Sequence, residues 1–132
     1  MRRLITLGVL ATVGCGADPV TRTSTPETAA QVLAVETVSQ YAAKKGVRVD
    51  GVIFEDPTWR PTPAAWSVCG ERVVGFNKTY IETDWVYAYI PAFAAHEVCH
   101  IYYKHNLPCG REMDAVKAER LAETCARELM GL

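Results

Sequence analysis

Two histidines and a glutamate occur together in the segment His96-Glu97-Val98-Cys99-His100. On a helix, side chains four residues apart lie on the same face with Cβ atoms about 5–6 Å apart, a spacing that suits two imidazoles binding one Zn²⁺. Glu97 points toward the coordination position that the histidines leave open. This is the H-E-x-x-H arrangement, in which the glutamate is the general base toward a zinc-bound water. The segment predicts a hydrolytic zinc centre with His96 and His100 as ligands and Glu97 as the base.

The surroundings of the motif favour this interpretation. The chain has three histidines, and two of them fall in the motif. The helix around them is otherwise apolar, and placing two imidazoles and a carboxylate there costs free energy unless something pairs with them. The alternative is two hydrogen-bonded core histidines beside a surface glutamate.

A catalytic zinc centre needs a third protein ligand, and the last predicted helix offers Glu119. The apolar stripe of that helix is predicted to consist of Ala115, Val116, Ala122 and Ala126. Glu119 falls within the stripe, where small alanines allow a second helix to approach closely. Glu123 lies one turn later on the same face.

The motif at 96–100, followed by Glu119-Arg120-Leu121-Ala122-Glu123, resembles the gluzincin group of zinc metallopeptidases over residues 91–130. The resemblance implies a zincin-like fold, peptide-bond hydrolysis and one Zn²⁺ per chain, bound by His96, His100 and Glu119. It also implies that Glu123 orients His96, although the group usually has Asp or Asn at this position.

Other parts of the chain bear on this resemblance. The strand predicted at 72–76 resembles the edge strand along which zincins bind an extended peptide. A metzincin would need Gly at 103 and His at 106, where this chain has Tyr103 and Asn106. His105 is instead expected to be exposed or to cap the helix. A deformylase is disfavoured because Cys69-Gly70 matches its cysteine segment poorly. Four tyrosines are candidate donors to the oxyanion of the tetrahedral intermediate, and the sequence does not rank them: Tyr87, Tyr89, Tyr102 and Tyr103.

The elements that must position these residues follow from periodicity and turn signals. Ser24 or Thr25 is predicted to cap a helix that contains Pro26 in its first turn and ends before Gly46. Three strands are predicted at 47–54, 64–68 and 72–76, the last closed by residues 77–84, and two helices at 91–104 and 111–130. The fold class is α+β, a small antiparallel sheet with an N-terminal helix, an active-site helix and a C-terminal ligand helix.

The N-terminus has the pattern of a secretory signal. Arg2 and Arg3 precede an apolar run that ends at Gly14 and Cys15, too short for a membrane span. We therefore expect a signal peptide at 1–15, a linker at 16–25 and a metallopeptidase domain at 26–132, with a buried first element as the alternative. Residues 12–15 resemble the lipobox of bacterial lipoproteins, although Thr12 stands where Leu or Val is usual. The resemblance implies a lipid anchor at Cys15, and free release is the other outcome.

Four cysteines remain after the signal: Cys69, Cys99, Cys109 and Cys125. An even number in a small exported domain predicts two disulfides, with free buried thiols as the alternative. Three pairings are possible, and we favour Cys99 with Cys125 and Cys69 with Cys109.

Composition limits the partners of the chain. Its net charge is −1 and no basic stripe follows the N-terminus, which excludes nucleic acid as the expected partner. With 132 residues it is a single domain, expected to act as an exported monomer on a peptide or protein substrate. The alternatives are a zinc-holding binding module without turnover and a structural lipoprotein of the envelope.

Overall fold

The computed structural model describes residues 24–106 and 114–132. These residues form an α+β domain with a three-stranded mixed sheet and four helices. The helices are α1 (Ala29–Lys45), α2 (Asp84–Tyr87), α3 (Ile90–Tyr102) and α4 (Ala115–Leu129), and the strands are β1 (Gly51–Glu55), β2 (Ala65–Ser67) and β3 (Val73–Asn77). The predicted signal at 1–15 and most of the predicted linker lie outside the described residues. Within them, no helix combines the length and apolar character needed to cross a membrane.

Helix α1 starts later than predicted. Its N-cap is Thr28, whose hydroxyl accepts the Gln31 N–H at 3.1 Å, so the caps predicted at Ser24 or Thr25 are wrong. The predicted end is confirmed: Gly46 adopts φ 73°, a conformation that glycine reaches without steric cost. The buried face of α1 consists mostly of small side chains, among them Ala30, Ala34 and Ala42, and it packs on α3.

The sheet has the order β1-β3-β2 and corrects two predictions. Strand β3 pairs with β2 antiparallel, as a hairpin should, but it pairs with β1 in parallel, so the sheet is mixed and not antiparallel. The edge strands are β1 and β2, and the predicted 72–76 strand is the central strand β3. The physical reason is visible in β3, all of whose residues are buried, whereas β2 is half-buried. A continuous apolar run suits a central strand that is covered on both faces.

The two faces of the sheet are covered differently. Val52, Phe54, Val74 and Phe76 belong to the same core cluster as the buried residues of α1, α3 and α4. On the other face the Trp66 indole lies over Gly75, where any added Cβ would overlap it. Trp59 packs edge-on against Trp66 with ring centroids 5.3 Å apart. Trp66 therefore packs between the sheet and Trp59.

Residues 77–84 close the last strand, as predicted. Strand β3 ends at Asn77, whose Oδ1 accepts the Tyr80 N–H at 3.0 Å and starts a 3₁₀ turn, Tyr80–Glu82. Helix α2 follows and leads into α3. This reversal carries the chain from the sheet to the start of the central helix.

Helix α3 is the centre of the domain and packs against α1, α4 and β2. Its Cys99 is bonded to Cys125 of α4, which confirms that predicted pairing. Cys69 is also disulfide-bonded, while its predicted partner Cys109 lies outside the described residues. The disulfide between Cys99 and Cys125 joins residues 26 apart in the sequence. A disulfide that closes a loop of about that size typically adds about 3 kcal/mol to the free energy of unfolding.

Helix α4 begins after Asp114, whose Oδ1 accepts the Lys117 N–H at 3.1 Å. Its buried face consists of Ala118, Ala122, Cys125, Ala126 and Leu129. The predicted stripe was therefore wrong at its start, since Ala115 and Val116 are exposed. The disulfide fixes the rotation of the helix by turning Cys125 inward.

Candidate metal centre

His96 and His100 stand one turn apart on α3, and their Nε2 atoms are 3.1 Å apart. His100 is buried and His96 retains 20% of its side-chain exposure. Since the opposite face of α3 is packed into the core, both imidazoles are directed to the side of the helix that faces α4. Helix α3 thus places two nitrogen atoms that could bind a metal side by side, on the face of the helix that is directed toward α4.

Helix α4 brings Glu119 to the same point. Its Oε1 lies 2.9 Å from His96 Nε2 and its Oε2 lies 2.9 Å from His100 Nε2. The Glu119 side chain is 63% exposed, so it does not lie in the buried stripe as predicted. It borders that stripe between Ala118 and Ala122, whose small side chains let the two helices approach. The carboxylate therefore reaches both histidines from the rim of the helix interface.

The donor set of these residues suits a zinc ion. In the described part of the chain, ligand atoms of His96, His100 and Glu119 lie within 4.8 Å of one another. Tetrahedral Zn²⁺ with Zn–N bonds of 2.0–2.1 Å separates its ligand atoms by about 3.3 Å, close to the separations of 2.9–3.1 Å found here. Two imidazoles and one carboxylate are also the ligands of many catalytic zinc sites. The residues fit a divalent cation with little rearrangement.

Glu123 lies on the far side of His96. Its Oε1 is 3.4 Å from His96 Nδ1, the nitrogen that does not face Glu119. That separation is at the outer limit of hydrogen bonding, and the Glu123 side chain is 62% exposed. Glu123 therefore lies beside His96, as predicted, in a contact longer than those of Glu119, and its orienting role stays a prediction.

His105 has a position that the sequence did not predict. Its Nδ1 lies 2.8 Å from His100 Nδ1, and its ring stacks on that of Tyr103 with centroids 5.4 Å apart. It is partly buried and lines the cleft. His105 is therefore not exposed, but its backbone N–H donates to the His100 carbonyl at 2.9 Å and caps the helix, which confirms the expectation of a capping residue. His105 follows His100 by five residues in the sequence. The helix ends between them, however, so helical periodicity does not predict that their side chains meet.

Glu97 is buried beside this group. The Ser67 hydroxyl on β2 donates a hydrogen bond to Glu97 Oε1 at 2.9 Å. Burial raises the pKa of the Glu97 carboxyl to about 7, against the opposing effects of His96 and of the Ser67 hydrogen bond. Ser67 was also missed by the sequence interpretation, because a serine 30 residues before the motif carries no local signal. It faces the helix because it alternates with Trp66, which lies on the other face of the sheet.

Burial has the opposite effect on His100. It lowers the pKa of the imidazole to about 4, and neighbouring His96 and His105 lower it further while Glu119 raises it. His100 is therefore neutral near pH 7 in the metal-free protein. A neutral imidazole is the form that binds a metal.

An open cleft gives access to the centre. A cavity of about 410 Å³ is lined by β2, by the three histidines and by Glu97 and Glu119. A second cavity of about 360 Å³ adjoins it on the Glu123 side, between Ala64 and Phe93. None of the four candidate tyrosines lines either cavity. The cleft therefore runs past Glu97 along strand β2.

No protein-family model, curated protein or solved structure matches the chain.

Proposed function

We propose that the chain is a small exported zinc metallopeptidase of gluzincin type that hydrolyses peptide bonds. The observation that carries this proposal is the convergence of His96, His100 and Glu119 from two helices beside a buried Glu97. An incidental pair of core histidines would not require a carboxylate from another helix at 2.9 Å from both rings. This convergence argues against a purely structural lipoprotein.

His96 and His100 would hold Zn²⁺ through Nε2, and Glu119 would hold it through its carboxylate. When bound, the ion supplies a Lewis acid that polarises a carbonyl group and activates water. The neutral state of His100 in the metal-free protein favours binding, because no proton has to leave that ring first. Glu123 would orient His96 through Nδ1.

Glu97 is the proposed general base and acid. It takes a proton from the attacking water and gives it to the leaving amine nitrogen. Burial raises the pKa of the Glu97 carboxyl in the metal-free protein, and a raised carboxyl pKa favours a group that must both accept and return a proton. The Ser67 hydroxyl holds the carboxylate in one orientation during both transfers.

Strand β2 supports a peptide as the substrate. It is one of the two edge strands of the sheet and forms one wall of the cleft that contains Glu97. An extended peptide can add to an exposed strand edge through main-chain hydrogen bonds, independently of its side chains. Such a peptide would pass the metal centre with a carbonyl group exposed to attack.

Export is part of the proposal. The disulfide between Cys99 and Cys125 and the disulfide-bonded state of Cys69 support an oxidising compartment. We expect the mature chain to begin at or near Cys15, on membranes if that cysteine is acylated. Cys15→Ser would then release the protein to the soluble fraction. Recovery of cytosolic protein with an intact Met1 would refute export.

The peptidase proposal is tested by metal analysis and by one isosteric substitution. The purified protein should contain one zinc per chain and cleave an unfolded protein such as denatured casein. Glu97→Gln should keep the zinc and lose about 10²–10⁴-fold in rate, the usual contribution of general acid–base catalysis. Glu128→Gln, an exposed change on α4, is the matched control and should keep both properties.

Two results would contradict the proposal. If the protein is still metal-free after purification with zinc, the proposal of a metal centre is wrong. Zinc binding without cleavage of any unfolded protein would favour the binding module.

A further inference from the structure

Helix α3 ends in a reversal that returns the chain to His100. Lys104 has φ 61°, in the left-handed region that residues other than glycine seldom occupy. Its N–H donates to the Ile101 carbonyl at 3.0 Å, and the His105 N–H donates to the His100 carbonyl at 2.9 Å. These two hydrogen bonds form a Schellman cap, with Lys104 as the left-handed residue.

The cap brings the side chains of His105 and His100 together. In Schellman caps these two positions frequently make an apolar contact. Here both residues are histidines, with Nδ1 atoms 2.8 Å apart and ring centroids 5.1 Å apart. A feature that ordinarily only terminates a helix thus places a hydrogen-bonding group behind a candidate metal ligand.

The residue after His105 is anchored to the sheet. Asn106 Nδ2 donates to the carbonyl oxygens of Val68 and Glu71 at 2.7 and 2.6 Å, and the Asn106 carbonyl accepts the Gly70 N–H at 2.8 Å. The segment is therefore tied to the turn between β2 and β3. His105 is held by the helix cap on one side and by this turn on the other.

The contact between the two Nδ1 atoms has a consequence for metal binding. A neutral imidazole carries one N–H, so one ring must donate and the other accept. If His100 Nδ1 donates, its Nε2 presents a lone pair toward His96 and Glu119 and is able to bind a cation. If His105 donates, Nε2 of His100 carries the hydrogen and cannot bind.

We propose that His105 is a positioning residue that accepts the Nδ1–H of His100 and so fixes the metal-binding tautomer of that ligand. The proposal rests on the proposed metal centre and adds a residue that lies outside the H-E-x-x-H and Glu-x-x-x-Glu motifs. His105 does for His100 what Glu123 does for His96. Each ligand imidazole then has a partner on the nitrogen that faces away from the metal.

Two substitutions in the full-length protein separate this role from packing. His105→Phe keeps an aromatic ring against Tyr103 but cannot accept a hydrogen bond. His105→Asn loses the ring but places an amide oxygen near the position of Nδ1. Zinc affinity is measured by competition with a chromophoric chelator. We expect His105→Phe to weaken zinc binding by about 10–100-fold and His105→Asn to stay close to the wild type.

Lys104→Gly is the control for the cap. Glycine adopts the left-handed conformation more readily than lysine, so the cap is preserved and zinc affinity should not change. A second measurement follows the Nδ1–H of His100 in ¹⁵N–¹H spectra of the zinc-loaded proteins: a hydrogen bond to His105 should shift this proton downfield in the wild type, and the shift should be lost in His105→Phe.

Three outcomes would overturn the proposal: unchanged zinc affinity in His105→Phe, an equal loss in both His105 variants, or an Nδ1–H resonance of His100 that is the same in the wild type and in His105→Phe. A wild-type protein that binds no zinc would overturn it together with the metallopeptidase. If the wild type binds zinc without cleaving peptides, only the peptidase proposal fails, and the affinities of the two variants still decide the role of His105.

Discussion

The hydroxyl of Ser67 on the edge strand donates a 2.9 Å hydrogen bond to the carboxylate of Glu97 on the central helix. The contact joins the wall of the cleft to the group proposed to move the proton. A hydrogen bond of this kind favours the ionised carboxylate and lowers its pKa. Ser67 therefore partly offsets the burial that raises the pKa of Glu97.

Ser67→Ala should consequently change the pH dependence of hydrolysis. Glu97 must be ionised to accept a proton, so kcat/KM should rise with pH through the pKa of its carboxyl group. Loss of the hydroxyl raises that pKa, and the acid limb of the profile should move to higher pH while zinc content stays at one per chain. Ser67→Thr keeps a hydroxyl and is the matched control. An acid limb that does not move in Ser67→Ala would show that the hydrogen bond has no influence on the base.

Substitutions of the three glutamates near the metal centre should affect zinc binding and activity differently. Glu119→Ala removes a ligand, so zinc and activity should both be lost. Glu123→Ala removes an orienting contact, so zinc affinity should fall by about 10–100-fold. Glu97→Gln should leave zinc affinity close to that of the wild type. Metal analysis after dialysis ranks the variants, with Glu128→Gln as the control.

A different order would change the assignment. If Glu119→Ala retained zinc while Glu123→Ala lost it, the third ligand would lie one turn further along α4. The separations support the predicted order, because Glu119 contacts both imidazoles at 2.9 Å and Glu123 lies 3.4 Å from one of them.

The sequence alone predicts those parts of the site that depend on residues close together in the chain. The spacing of His96 and His100 specifies a shared helix face, and the small residues of α4 indicate close packing beside Glu119. Ser67 and His105 could not be predicted in this way. Their roles depend on where a strand docks and how a helix ends, which are properties of the assembled fold. The parallel pairing of β1 with β3 could not be predicted for the same reason. The local pattern predicts the hairpin of β2 and β3, but it does not indicate which of these two strands pairs with β1.

The disulfide between Cys99 and Cys125 should stabilise both the fold and the metal centre. It joins the helix that carries both histidines to the helix that carries Glu119. Replacing both cysteines by alanine should lower the free energy of unfolding by on the order of 2–5 kcal/mol. Zinc affinity should fall as well, because α4 is then less firmly held against α3.

Reductant provides the control for this prediction. Under reducing conditions the wild type loses the same cross-link, so the difference in melting temperature between the wild type and the double variant should shrink. A difference of the same size with and without reductant would assign the effect to lost side-chain volume.

The last prediction concerns the metal-free protein, in which two groups of the site titrate in opposite senses. His100 has a pKa of about 4 when folded, below its ordinary 6.5. The unfolded chain therefore binds more protons at this residue, and its contribution to stability rises with pH between about 4 and 6.5. Glu97 has a pKa of about 7 when folded, above its ordinary 4.5. The folded chain binds more protons there, so its contribution falls as pH rises between about 4.5 and 7.

Because the two contributions oppose each other, they should nearly cancel in the wild type between about pH 4.5 and 6.5. Glu97→Gln removes the falling contribution and leaves that of His100. The stability of this variant, relative to Glu128→Gln, should therefore rise by on the order of 1–3 kcal/mol over this pH range. Urea unfolding of the metal-free proteins at several pH values measures the difference. Parallel curves for the two variants would mean that Glu97 does not hold its proton in the folded state, and a base with a pKa near 7 would then be wrong.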